Sequence, residues 1–356
     1  MGNIYILQIF RGIAAIFVLS AHATLFFDDR YLLGIMNEGT SGVDFFFVLS
    51  GFIIYYAHHG DIGKPNSLMV YLKKRFIRIY PIYWFYTFMY VFIIFSVYLL
   101  SDKSIAPYFL DINDLMKSLI LYPHNLSSTD SPIIAPAWSL SYEIMFYTIF
   151  GMAILIKPKY SLMIISVWVF CIFSVFLQIF STSNFIISGF IFNPMNLEFL
   201  YGCVIASLTL NYRKFDKYGV VITILGALYL VVSWVNGLYH IVDFKSIKVI
   251  TYGISYSLII YGAVLMVKNK GQNNNIELSR VKKIFIYFGD ASYSIYLIHF
   301  MPLYLLSIAV KKSDIFHVVN PFIVITICIL VVIALSCLSY KFIEKQFLSS
   351  LKLKLL

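Results

Sequence analysis

The chain has 356 residues, of which 60% are hydrophobic and only 12% charged, with a mean hydropathy of +0.84. Roughly a quarter of the residues of a soluble domain are charged, so this composition excludes one and points to a helical membrane protein that crosses the bilayer many times. The net charge of +10 does not point to nucleic acid, because the basic residues fall in short clusters between apolar runs, as membrane orientation signals do.

The first apolar run, 6–26, is long enough to cross a bilayer at about 20 residues, yet it contains Arg11 and His22. It is too long and too polar inside to be the apolar part of a signal peptide, so it is expected to be retained. On a helix, eleven positions make almost three turns, which puts both side chains on one face about 16 Å apart. Ionisable groups within a span usually face a bundle interior or a water-filled cavity. The plainer alternative is that each snorkels to an interface and anchors the helix.

Further spans read from hydropathy are 42–57, 77–100, 135–156, 160–180, 195–210, 218–235, 247–267, 284–310 and 318–342, which makes about ten. Breakers mark several ends, among them Lys64-Pro65-Asn66, Lys157-Pro158 and the polar run GQNNN at 271–275. With no internal repeat and no linker, a single transmembrane domain over 1–356 is expected, without an appended soluble domain. Cys171, Cys203, Cys328 and Cys337 lie in apolar runs without paired or metal-ligand spacing, so they read as packing residues and no metal is expected.

Basic residues concentrate after the even-numbered spans: Lys64, Lys73, Lys74, Arg75 and Arg78 after the second, Arg213, Lys214 and Lys217 after the sixth, and Lys268, Lys270, Arg280, Lys282 and Lys283 after the eighth. The opposite loops hold fewer, chiefly Arg30, Lys103, Lys117, Lys245, Lys248, Lys311 and Lys312. Both termini are therefore expected in the cytoplasm.

That orientation gives each polar residue a depth. His22, Asp44 in GVDFFFVLSGF, Glu143 in WSLSYEIMFY and Glu198 fall toward the outer half, where they suit proton chemistry. Arg11, Arg75 and Arg78 fall toward the inner half, where they suit phosphate binding. Each has a bland reading. Arg75 and Arg78 share a helix face and so could grip one anion, but basic residues at such a position are commonly topology anchors. Asp44 also reads as an interfacial residue ahead of a closely packed helix that contains Gly51. Glu143, five residues after Trp138 and well inside an apolar run, favours function. His58 and His59 read as an interfacial cap without a ligand set, and His299 as a hydrogen-bonded packing residue. The loop histidines His124, His240 and His317 receive no role.

Five stretches occur in a telling order: Arg11 and His22 with ten residues between them in LQIFRGIAAIFVLSAHA, GVDFFFVLSGF, Arg75 and Arg78 in RFIRIYP, WSLSYEIMFY, and FGDASYSIYLIH near the ninth span. Together they resemble the acyltransferase-3 family of integral-membrane O-acyltransferases. The resemblance implies a bundle of ten helices in the bacterial cytoplasmic (inner) membrane. It also implies transfer of an acyl group, usually acetyl, from cytoplasmic acyl-CoA to a hydroxyl of a surface polysaccharide or its lipid-linked precursor. Joined to the depths above, it makes Arg75, Arg78 and Arg11 the holders of the phosphates of acetyl-CoA. His22 becomes the general base, oriented by Glu143 or Asp44, with a covalent acyl-imidazole as the rival route. Some members carry a further extracytoplasmic hydrolase-like domain after the tenth helix, whereas this chain stops about a dozen residues past Phe342. That departure leaves open a separate extracytoplasmic partner, as it does a homo-oligomer. The expected partners are the acyl-CoA, the glycan acceptor and membrane lipids. Other classes stay open: a flippase for lipid-linked oligosaccharide also needs charges at two depths, and a glycan polymerase would use no acyl donor.

Overall fold

The computed structural model of the chain describes residues 5–27, 34–100, 112–123, 132–179, 186–212, 215–239, 248–269, 279–313 and 319–355. Within them every regular element is helical. Nine helices are long and apolar enough to cross a membrane, or ten if one bent pair counts as a single span. The protein is an all-α polytopic membrane protein, as its composition requires: in hydrocarbon a backbone must satisfy its own hydrogen bonds, and a helix does so within one segment. Arg30, Lys103, His124, Arg213, Lys214, His240, Lys245, Lys270, His317 and the 271–275 run lie outside the described residues.

The main helices are α1 (Tyr5–Phe27), α2 (Gly42–His58), α3 (Leu68–Leu100), α4 (Trp138–Leu155), α5 (Pro158–Phe176), α6 (Asn196–Asn211), α7 (Gly219–Tyr239), α8 (Lys248–Asn269), α9 (Arg280–Asp290), α10 (Ser292–Ile298), α11 (Phe300–Lys312), α12 (Pro321–Ser339) and α13 (Lys345–Leu355). Two expectations are corrected. The third span does not begin at 77: α3 starts nine residues earlier at Leu68 and carries Lys73, Lys74, Arg75 and Arg78 within the helix, with Pro81 in its interior. The ninth span is not one helix over 284–310. Its first part is the separate α9, opened by Ser279, whose Oγ accepts the Lys282 N–H. Arg280, Lys282 and Lys283 are exposed on α9, a charge density that does not suit the hydrocarbon. The remainder is the bent pair α10 and α11, angled by 50°.

The helices group into two compact units. The first comprises Met1–Gly60, Pro194–Tyr296 and Leu303–Cys337. In it α2 packs against α6, α7 against α8 and α1 against α9, while α8 also touches α2 and α6. Its core includes Phe45, Val48, Phe52, Ile205, Tyr256 and Ile260. α2 and α6 approach very closely, where a Cβ on Gly51 would lie 1.9 Å from the Phe199 carbonyl oxygen and one on Gly202 2.0 Å from that of Val48. Helices in lipid gain no hydrophobic drive toward one another, so small residues that admit close backbone packing do this work. Phe47 stacks on Phe199 at 4.7 Å beside the crossing.

The second unit comprises Asp61–Asn193, Leu297–Pro302 and Leu338–Leu356. In it α3 packs against α4 and α13. Four of the largest fully buried side chains here are tyrosines of α3: Tyr71, Tyr83, Tyr86 and Tyr90. Each hydroxyl finds a partner, as buried polar atoms must. Tyr71 donates to the Tyr147 carbonyl at 3.1 Å, Tyr83 to that of Ser118 at 2.7 Å, and Tyr86 meets Ser339 Oγ at 2.7 Å. Tyr90 serves the bend between α10 and α11. Its oxygen lies 3.2 and 3.0 Å from the Leu297 and Ile298 carbonyls and accepts the Met301 N–H at 3.1 Å. A break leaves helix-end groups without their usual partners, and one phenol supplies three of them.

Gly51→Ala and Gly202→Ala should each lower the thermal melting point of the detergent-solubilised protein, because overpacking a close contact costs about 1 to 3 kcal/mol. Gly60→Ala, where an added Cβ meets nothing within 4 Å, should leave it unchanged. Equal melting of all three variants would contradict the α2–α6 contact.

Candidate active site

In the first unit, Asp44 and Glu198 are each the third residue of a helix, α2 and α6 respectively. The Gly51–Gly202 contact deeper in these helices brings the two starts together, and the positive end of each helix dipole favours an acid there. Glu198 is fully buried, and neither of its oxygens meets a donor among the described residues. The group it faces is the half-buried Asp44 carboxyl. Ionised carboxylates only accept, so this contact closes as a hydrogen bond only when one of the two carries a proton.

Beside this pair is a polar cluster that the sequence did not reveal. Glu38, in the short turn Glu38–Ser41, is buried; it accepts the Tyr252 hydroxyl and pairs with Lys248 at 3.5 Å. Ser41 Oγ meets the Tyr256 hydroxyl at 2.9 Å and accepts the Trp234 indole N–H at 3.1 Å. Lys248 read as a loop charge, but it opens α8 and neutralises Glu38. The only hint in the sequence was the run of small residues at 39–42, which permits a turn to pack closely.

His22 and Arg11 are both half-buried on α1. Arg11 donates to Gln8 Oε1 at 3.0 Å, one turn away. Two residues beyond His22, Thr24 Oγ1 donates to Asn37 Oδ1 at 2.5 Å, which ties this end of α1 to the segment just before Glu38.

In the second unit, Arg75, Arg78 and Glu143 come together around Tyr147. The Tyr147 hydroxyl donates to Glu143, one turn away on α4. The Arg75 guanidinium lies over the Tyr71 and Tyr147 rings at 5.8 and 5.6 Å from their centroids. Cations are held on such faces by the ring quadrupole. Arg78 pairs with Glu344 Oε1 at 3.8 Å. The expected assignment of Glu143 and these arginines to opposite halves is thus corrected: Tyr147 bonds Glu143 through its hydroxyl and carries Arg75 on its ring face. The reason is the early start of α3, which places Arg75 and Arg78 two to three turns inside a helix rather than at a loop mouth.

A family model described as an acyltransferase domain matches residues 4–341. The chain belongs to the acyltransferase-3 family. Among curated relatives of this member, an exopolysaccharide production protein, ExoZ of Rhizobium meliloti (strain 1021), is 27% identical over 134 residues, which is 36% of this chain and 38% of the relative. Protein 2 in the picA locus of Rhizobium radiobacter is 36% identical over 78 residues, covering 20% of this chain and 36% of that protein. The chain therefore spans well under half the length of the curated relatives it matches. No solved structure matches it significantly.

The carboxyl pair makes an asymmetric prediction. Glu198→Gln supplies an amide N–H to Asp44 and should melt within a degree or two of the parent, whereas Asp44→Ala strands a buried acid and should cost about 1 to 3 kcal/mol. Differential scanning fluorimetry in detergent reads both, and a larger loss for Glu198→Gln than for Asp44→Ala would refute the contact.

Proposed function

We propose that this protein transfers an acyl group, acetyl in the simplest case, from acyl-CoA to a hydroxyl of a surface polysaccharide or its lipid-linked precursor at the bacterial inner membrane. The observation that carries this reading is the family match over 4–341, which includes every ionisable residue discussed above except Glu344. The polysaccharide acceptor is favoured by the exopolysaccharide relative, on the strength of a partial alignment.

The residues have distinct tasks in this proposal. His22 takes the proton of the acceptor hydroxyl as its oxygen attacks the thioester carbonyl; a C–O bond forms, the C–S bond breaks, and the CoA thiolate leaves and is protonated. A neutral imidazole suits this role, because it accepts a proton at one nitrogen and can be oriented through the other. Asp44 and Glu143 are the carboxyls assigned to support proton movement. Arg75, Arg78 and Arg11 hold the donor's phosphates, for which the planar guanidinium fork is well matched. With both termini in the cytoplasm, Arg11 lies toward the donor side and His22 toward the outer leaflet, so the acceptor approaches from outside.

Purified protein given acetyl-CoA and polysaccharide should release free CoA thiol, which a flippase or polymerase would not do. His22→Ala should lower that release by about 10²- to 10⁴-fold, the worth of a positioned base, at unchanged membrane abundance. Near-normal turnover would remove His22 from the mechanism. Arg75→Lys should weaken acetyl-CoA binding in a direct titration, since an ammonium lacks the guanidinium fork; parental affinity would leave Arg75 a topology anchor.

A further inference from the structure

The segment after α12 departs from α-helix geometry. Tyr340–Glu344 forms a π-helical turn that runs directly into α13. Such turns carry an extra residue, lose hydrogen-bond quality and cluster at functional sites. Here the turn has an identifiable geometric result. Ser339 and Glu344 are five residues apart, so on an unbroken α-helix they would point about 140° away from each other. An i→i+5 turn returns both to one side. That side faces α3, where Ser339 meets Tyr86 at 2.7 Å and Glu344 meets Arg78 at 3.8 Å, an antiparallel pair of contacts along two helices.

The two members of the ion pair differ in environment. Glu344 is 1% exposed and Arg78 36% exposed. A buried carboxylate on a specially shaped turn therefore holds one end of a guanidinium whose side chain is otherwise about one-third exposed. The arginine next to it in space and sequence, Arg75, is held by a different device, the two tyrosine faces. Long arginine side chains lose considerable rotamer freedom when they grip an anion, and prior immobilisation removes that cost from binding.

We infer that Glu344 is a positioning residue for the donor site: the π turn presents its carboxylate to Arg78 so that the guanidinium is oriented for a phosphate of the acyl-CoA. The inference rests on the reading that Arg78 binds the donor's phosphates, and it adds a residue that has no part in that reading. It has a consequence that a merely structural role would not have. Only donors that carry nucleotide phosphates should feel the loss of Glu344.

The test measures transfer by the full-length protein from two donors, acetyl-CoA and acetyl-pantetheine, a thioester without phosphates. Glu344→Gln keeps the side-chain shape and removes the charge. It should raise the KM for acetyl-CoA about tenfold, the scale of one charge-assisted hydrogen bond, with kcat unchanged and with both parameters for acetyl-pantetheine unchanged. Arg78→Lys should do the same, and the double variant should be no worse than the poorer single one, since coupled residues are not additive. Equal losses with both donors would make Glu344 structural and overturn the inference. A shift for Arg78→Lys but none for Glu344→Gln would also overturn it while leaving the donor-site reading intact. No donor discrimination in Arg78→Lys would overturn the reading of Arg78 itself, and the inference with it. If Glu344→Gln accumulates poorly, Glu344→Asp, which restores the charge on a shorter arm, should recover part of the acetyl-CoA preference over Glu344→Gln in the molecules that do fold; no recovery would count against the charge as the operative feature.

Discussion

An ionisable side chain on a membrane-spanning helix cannot rely on bulk water, and this constraint organises most of the polar structure of the protein. Each solution seen here is different. Arg75 lies over two tyrosine rings, Arg78 meets a buried glutamate, Glu38 takes a lysine and a phenol, and Asp44 and Glu198 meet each other. The costs of leaving such groups bare in hydrocarbon are several kcal/mol each, so helix packing is arranged around these meetings as much as around apolar volume.

Two kinds of backbone device make the meetings possible. At Gly51 and Gly202 the absence of a side chain lets α2 and α6 approach until carbonyls occupy the place of a Cβ, which brings two helix starts and their acids together. On α3 the opposite strategy operates. A succession of buried tyrosines fills volume with rings while their hydroxyls meet backbone carbonyls at Tyr147, Ser118 and the α10–α11 bend. The bend and the π turn both interrupt the regular ladder, and both are met by tyrosines of the same helix, Tyr90 and Tyr86.

The number and type of spans were legible in the sequence because hydropathy over some twenty residues reports directly on the hydrocarbon thickness. Asp44, Glu143 and Glu198 were legible as well, since an acid within an apolar run is conspicuous. What was not legible depends on three-dimensional pairing. Glu38 sits in a turn between two spans, where no periodicity distinguishes it. Glu344 is flanked by Lys341 and Lys345, so that it reads as part of a basic membrane-proximal end. The helical setting of Arg75 and Arg78 was not legible because hydropathy begins a span where charges stop, while the helix itself runs on through them to Leu68. The ninth span was drawn too long for the related reason that α9 is apolar on one side only, and a sliding average does not see sides.

The central claim is that a surface glycan acquires an acyl group through this protein, and it is tested most directly on that glycan. Surface polysaccharide would be isolated from cells with and without the gene and from deleted cells carrying a restored copy, and compared by mass spectrometry. The account predicts an acetyl-sized mass increment on the sugar repeat that disappears on deletion and returns with the restored gene. An unchanged acylation pattern, or a loss of the polysaccharide itself with the remaining chains still fully acylated, would contradict it and favour a protein that moves or assembles the glycan.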